Sequence, residues 1–223
     1  MKYFVLFAFV LAAACGGRER TDAPAAAAPV APAAAANAPK ARIVFLGDSL
    51  TAGLGLSPEQ SYPSLIGKRL KERGYDYEIV NAGVSGDTSA GGLRRLDWSL
   101  EGDVKVLVLA LGANDGLRGL PTGDLKKNLE AVLDRAKARD IAVVLAGMEA
   151  PPNNGIEYTR AFRQVYADLA RRYDVRFIPF MLQGVAGDAA LNQGDGIHPN
   201  TRGAEIVADI VWKELEPLLE RRN

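Results

Sequence analysis

The sequence predicts an α/β protein, a three-layer α/β/α sandwich around a mostly parallel five-stranded sheet. Three observations carry this. Short apolar runs rich in β-branched residues recur between residues 41 and 178, as strands buried on both faces require. Amphipathic helical patterns separate them. The residues with the most evident chemistry follow the apolar runs directly, as in parallel sheets whose sites lie at the carboxyl ends of the strands.

The first strand is expected over residues 41–46, ended by Gly47, and the second over 77–82. The third is expected over 104–111, the fourth over 141–146 and a short fifth over 175–178. A helix over 61–73 places Leu65, Ile66 and Leu70 inward, with a basic outer face at 68–73. The pattern at 125–138 aligns Leu129, Val132 and Leu133, and that at 158–172 aligns Phe162, Val165, Tyr166 and Leu169. A last helix over 201–219 buries Ile206, Ile210, Val211 and Leu215. Arg94-Arg95 and Arg221-Arg222 read as solvated helix charges, and Trp98 and Trp212 as packing residues.

Composition narrows the function. The 223 residues carry 27 Lys and Arg against 27 Asp and Glu, and one His, for a net charge of zero. A dedicated nucleic-acid binder shows a clustered basic excess instead. Apolar residues are 48% and charged residues 24% of the chain, an ordinary globular balance. One cysteine excludes an intrachain disulfide and one histidine excludes a His-rich metal site. If the chemistry needs an imidazole base, that base is His198.

The first 39 residues read as an address and a tether. Lys2, the apolar run from Tyr3 to Leu11 and the small residues after it follow signal-peptide grammar over 1–14, too short for a membrane-spanning helix. Leu11-Ala12-Ala13-Ala14-Cys15-Gly16 resembles a bacterial lipoprotein box, with Ala12 where Leu is usual, so Cys15 is expected to carry a lipid anchor. The other reading is ordinary signal-peptidase cleavage, leaving Cys15 a free thiol in a soluble periplasmic or secreted protein. Residues 23–39 hold eleven Ala and four Pro, a semi-extended linker. The expected organisation is a signal peptide at 1–14, a lipidated Cys15 and linker at 15–39, and one domain at 40–223. The expected location is the cell envelope, on a membrane and facing the periplasm.

Four blocks follow the predicted strands or lie in the last loop: Gly47-Asp48-Ser49-Leu50, Asn81-Ala82-Gly83, Gly112-Ala113-Asn114-Asp115 and Asp195-Gly196-Ile197-His198. A serine hydroxyl needs a neighbouring base and a place for the charge that develops on the attacked carbonyl. Ser49 sits in a strand-to-helix turn, and its own N–H could donate to an oxyanion. Gly83 could bring a second backbone N–H close, and Asn114 an amide. Asp195, three residues before His198, could hold one ring nitrogen while the other faces the serine. Each block alone has a plainer reading. Ser49 or Asp48 could cap a helix, Gly83 could serve a turn, Asn114-Asp115 could cap a loop or helix, and His198-Pro199-Asn200 could lead into the last helix. Their joint occurrence in this order points to nucleophilic catalysis.

The extended blocks, residues 47–53, 81–88, 111–119 and 195–200, resemble the SGNH (GDSL) hydrolases. Within them they are most similar to the bacterial arylesterase, acyl-CoA thioesterase I and lysophospholipase L1 group. The resemblance spans nearly all of the domain. It implies the SGNH version of a flavodoxin-like sandwich, with Ser49 as nucleophile, His198 as base and Asp195 orienting His198. It implies an oxyanion hole of Ser49 N–H, Gly83 N–H and the Asn114 side chain, with Asp48 ordering the turn. The reaction implied is hydrolysis of an aryl ester, acyl thioester or lysophospholipid through an acyl-enzyme, with no metal or organic cofactor. An acyl pocket is implied along 148–156 and 181–193, with 151–155 a plain loop or a substrate gate.

Other readings fit less of the sequence. An α/β-hydrolase elbow around Ser85 would have Asp87 in place of its final Gly. A carbohydrate acetyl esterase of the same superfamily would use the same residues. A non-catalytic envelope binding protein would have no need of Ser49, Asp195 and His198 together. No phosphate-binding loop is present. A serine hydrolase with His198 as base must have that ring neutral, so activity is expected to rise with pH across the imidazole's titration. A rate that is flat from about pH 5 to 8, the range in which histidines titrate, would exclude the base.

Overall fold

The computed structural model describes residues 40–220. The expected signal peptide, lipid-bearing Cys15 and linker, and Arg221-Arg222, lie outside the described residues. Five strands form one sheet: β1 (Arg42–Gly47), β2 (Glu78–Gly83), β3 (Val104–Ala110), β4 (Ala142–Ala146) and β5 (Arg176–Ile178). Their order is β2-β1-β3-β4-β5 and every pairing is parallel. Ile43, Val44, Phe45 and Leu46 of β1 are all buried, as are Val106, Leu107, Val108 and Leu109 of β3. A strand covered on both faces cannot alternate polar with apolar, which is why these runs are continuous.

The connections supply eight helices among the described residues: α1 (Ser49–Ala52), α2 (Tyr62–Glu72), α3 (Ser89–Arg94), α4 (Leu96–Ser99), α5 (Ala113–Leu117), α6 (Thr122–Lys137), α7 (Ile156–Tyr173) and α8 (Thr201–Leu215). The helix α2 packs on α8, and α6 packs on α7 and α3. The chain leaves β1 toward β2 on one side and returns to β3 on the other. At such a reversal the connections after the two central strands diverge and leave a crevice.

Several elements differ from the sequence expectation, each for a local reason. The last helix ends at Leu215 rather than 219, and Glu216–Leu218 form a 3₁₀ turn. Pro217 there has no N–H to continue the helical ladder. The segment between β2 and β3 holds α3 and α4, of six and four residues, too short to show a helical period. Trp98 of α4 is 68% exposed and is not a packing residue. Trp212 is buried, with the guanidiniums of Arg69 and Arg73 each 5.5 Å from its ring centre. The same two arginines bond Asp209 and Glu216, so half of the expected basic face of α2 is tied to α8 and its end.

Candidate active site

The turn after β1 is unusually tight. A Cβ on Gly47 would fall 1.9 Å from Thr51 Oγ1, and one on Gly83 would fall 2.2 Å from the Ala52 nitrogen. Gly47 and Gly83 are register partners across β1 and β2. Two glycines therefore let α1 sit directly on the sheet end. The Asp48 side chain caps α1 by accepting the Leu50 N–H at 3.0 Å, and Gly53 closes it in the left-handed region at φ 76°. Ser49 is thus the first residue of a helix, buried to 9% exposure, and its N–H has no hydrogen-bond partner among the described residues.

His198 reaches this turn from the loop before α8. Its Nε2 lies 2.8 Å from Ser49 Oγ, and its Nδ1 lies 2.7 Å from Asp195 Oδ2. The other carboxylate oxygen of Asp195 accepts the N–H groups of Ile197 and His198, both at 3.0 Å. These backbone bonds and the His198 ring lower the Asp195 pKa to about 2. An ionised carboxylate only accepts, so Nδ1 carries the ring hydrogen and Nε2 presents its lone pair to the serine. Gln193 ties the two loops together. Its Nε2 donates to Leu54 O at 2.6 Å and to Pro199 O at 3.0 Å, and its N–H donates to His198 O at 2.8 Å. No motif in the sequence flags Gln193.

The expected donors do not all converge. Gly83 N–H donates to Asn81 Oδ1 at 3.0 Å, while Asn81 Nδ2 donates to Thr51 O at 2.9 Å. Gly83 therefore does not face the cleft, and its assignment to the oxyanion hole is corrected. Gly86, three residues on, does line the cleft. It occupies a turn closed by Asp87 N–H on Val84 O, at φ +84°, and its N–H has no partner among the described residues. The signal that could have found it is the glycine two residues beyond Val84 in the same block. Asn114, on α5, lines the cleft; its Nδ2 donates to Asp87 O at 2.9 Å and makes a long 3.4 Å contact with Asp48 Oδ2. Beside it, buried Asp115 accepts from Ser89 N–H at 2.7 Å and Ser89 Oγ at 2.6 Å, locking α5 to α3.

Arg95 is not a solvated charge. Its Nε donates to Asp87 Oδ2, its Nη1 to Ala82 O and its Nη2 to Gly47 O, all at 2.7 Å. Arg94 is exposed, as expected.

A cleft of about 740 Å³ opens beside Ser49 and His198. Met148, Ala150, Pro151 and Pro152 from the loop after β4 line it, with Leu182 and Ala186 from the stretch before Asp195. Leu54, Leu117 and Ile197 also contribute and are about half exposed. The loop after β4 is held by Asn154 Nδ2 on Gly116 O at 3.1 Å and by the Arg163–Glu149 ion pair at 2.9 Å. Among the described residues no group of three His, Cys, Asp or Glu side chains is placed to hold a metal. The arrangement can take a proton from a buried hydroxyl and present unpartnered N–H groups beside it.

The GDSL-like Lipase/Acylhydrolase family model matches residues 45–206. The chain is 43% identical over 178 residues to the esterase TesA of Pseudomonas aeruginosa, covering 79% of this chain and 89% of that protein. It is 36% identical over 178 residues to thioesterase 1/protease 1/lysophospholipase L1 of Escherichia coli strain K12, covering 79% and 84% of the two chains. A crystal structure of TesA superposes with a TM-score of 0.76 at 43% identity, over 81% of this chain and all of that one.

The buried Asp48 carboxyl gives a pH-dependent test of this geometry. Burial raises its pKa to about 6, against the lowering effect of the Leu50 N–H. A carboxyl that binds its proton more tightly when folded stabilises the fold fully below its ordinary range. That stability is lost as pH rises through about 6. Asp48→Asn keeps the acceptor for Leu50 N–H and removes the titration. The variant is expected to gain thermal stability relative to the wild type between about pH 4 and 7. Parallel curves of Tm against pH for the two proteins would contradict the buried, titrating carboxyl.

Proposed function

The chain belongs to the GDSL-like lipase/acylhydrolase family and is an ester hydrolase, and from that premise we propose that Ser49 is its nucleophile. The observation that carries the reading is the Ser49–His198–Asp195 relay at the wall of an apolar cleft. Ser49 Oγ attacks the carbonyl carbon as its proton passes to His198 Nε2. Asp195 stabilises the imidazolium and holds the ring in place. The oxyanion is met by the N–H groups of Ser49 and Gly86 and by the Asn114 amide, whose long contact to Asp48 yields. Collapse expels the alcohol or thiol, protonated by His198, and leaves an acyl group on Ser49. Water then attacks with His198 as base, and the carboxylic acid leaves.

The substrates proposed are medium-chain aryl esters, acyl thioesters and lysophospholipids. The lining by Leu54, Leu117, Met148, Phe180, Leu182 and Ile197 favours an acyl chain over an acetylated sugar. The N-terminal sequence supports export and a lipid-anchored position in the cell envelope through Cys15. Among the described residues no helix is long and apolar enough to cross a membrane.

Ser49→Ala is expected to lower kcat on p-nitrophenyl esters by about 10⁴-fold or more. With the wild type, kcat/KM is expected to rise from acetate to octanoate as the chain fills the cleft. Undiminished turnover in the variant would remove Ser49 from the mechanism. A preference for acetate over every longer ester would remove the acyl-chain reading of the cleft.

A further inference from the structure

Arg95 stands between α3 and α4, and its side chain is only 17% exposed. Its three nitrogens reach three different segments. Nη2 holds Gly47 O, two residues before Ser49. Nη1 holds Ala82 O, at the end of β2 where the loop to Gly86 begins. Nε holds the carboxylate of Asp87, the residue after Gly86. The backbone carbonyl of Asp87 in turn accepts Asn114 Nδ2. One guanidinium therefore touches, directly or through Asp87, every segment that presents a donor to the cleft. The site's other arginine contact, Arg118 Nη2 on Gly86 O at 2.8 Å, reaches a single segment.

We propose that Arg95 is a positioning residue for the oxyanion hole, setting the separation of the Ser49 N–H, the Gly86 N–H and the Asn114 amide through Gly47 O, Ala82 O and Asp87. This rests on the function proposed above. The planar fork of a guanidinium can satisfy three fixed acceptors at once, whereas an ammonium is a point charge on a flexible stem. Stabilisation of a developing oxyanion demands donors placed beforehand to within about 0.5 Å. Without Arg95, Asp87 loses its counter-charge and the carbonyl that orients Asn114 loses its anchor. Binding of the ground-state ester relies on the apolar wall, which Arg95 does not touch.

The test uses the full chain with Arg95→Lys, Arg95→Met and Asp87→Asn, each also combined with Asn114→Ala, and with Ser49→Ala as reference. Steady-state kinetics on p-nitrophenyl butyrate and thermal melts are recorded for all. Arg95→Lys and Arg95→Met are expected to lower kcat about 10- to 100-fold with KM within about threefold, below the loss from deleting a whole donor. Their losses are expected to be less than multiplicative with Asn114→Ala, because both act on one set of donors. If Arg95→Met does not melt cooperatively, Arg95→Lys and Asp87→Asn decide. A kcat within about twofold of wild type in folded variants, a change in KM alone, or losses that multiply with Asn114→Ala would overturn the proposal. An active Ser49→Ala would instead overturn the reading on which it rests.

Discussion

The site depends on one steric constraint, the absence of side chains at Gly47 and Gly83 where β1 and β2 end side by side. These two residues are paired in the parallel ladder, and neither has room for a Cβ against α1. Because α1 lies on the sheet end, Ser49 lines the crevice left by the strand reversal. The same approach brings Thr51 O within reach of Asn81, and leaves Gly47 O and Ala82 O for Arg95. An alanine at either glycine would force these contacts apart together, so the cost would fall on geometry as well as on stability.

Two carboxyls flank the Ser49–His198 pair, and their surroundings differ. Asp195 is partly exposed and held by two backbone N–H groups and the imidazole, which keep it ionised well below neutral pH. It can therefore fix the tautomer of His198 and support the cation that the proposed mechanism forms there. Asp48 is buried beneath Ser49 and is pushed toward its neutral form. Its work is structural, capping α1 and meeting the Asn114 amide at long range. Environment rather than residue type distinguishes an orienting acid from a capping one.

The strands were legible because a doubly covered parallel sheet writes each of them as a continuous apolar run, and each starts and ends within about two residues of its expected bounds. That Ser49, Asp195 and His198 would come together was legible because a serine, a carboxylate and a single histidine stand in blocks that the topology brings to one sheet edge. The sequence pointed to Gly83 and not to Gly86. Gly83 ends β2 and Gly86 follows it, and only the fold reveals that Asn81 occupies the N–H of the first. Arg95 was misread because a basic pair on a short helix looks solvated until tertiary structure brings two strand ends beneath it. Trp98 was misread because apolar character does not specify burial in a four-residue helix.

The proposed mechanism requires Ser49 to be the activated hydroxyl of the cleft. Ser85 lines the same cleft and provides an internal competitor. The most direct measurement is intact-mass and peptide mapping after incubation with a p-nitrophenyl alkylphosphonate, whose phosphorus resembles the tetrahedral intermediate. An activated Ser49 gives one adduct per chain, on Ser49, with loss of the nitrophenolate. An adduct on Ser85, or no adduct while ester turnover continues, would contradict it.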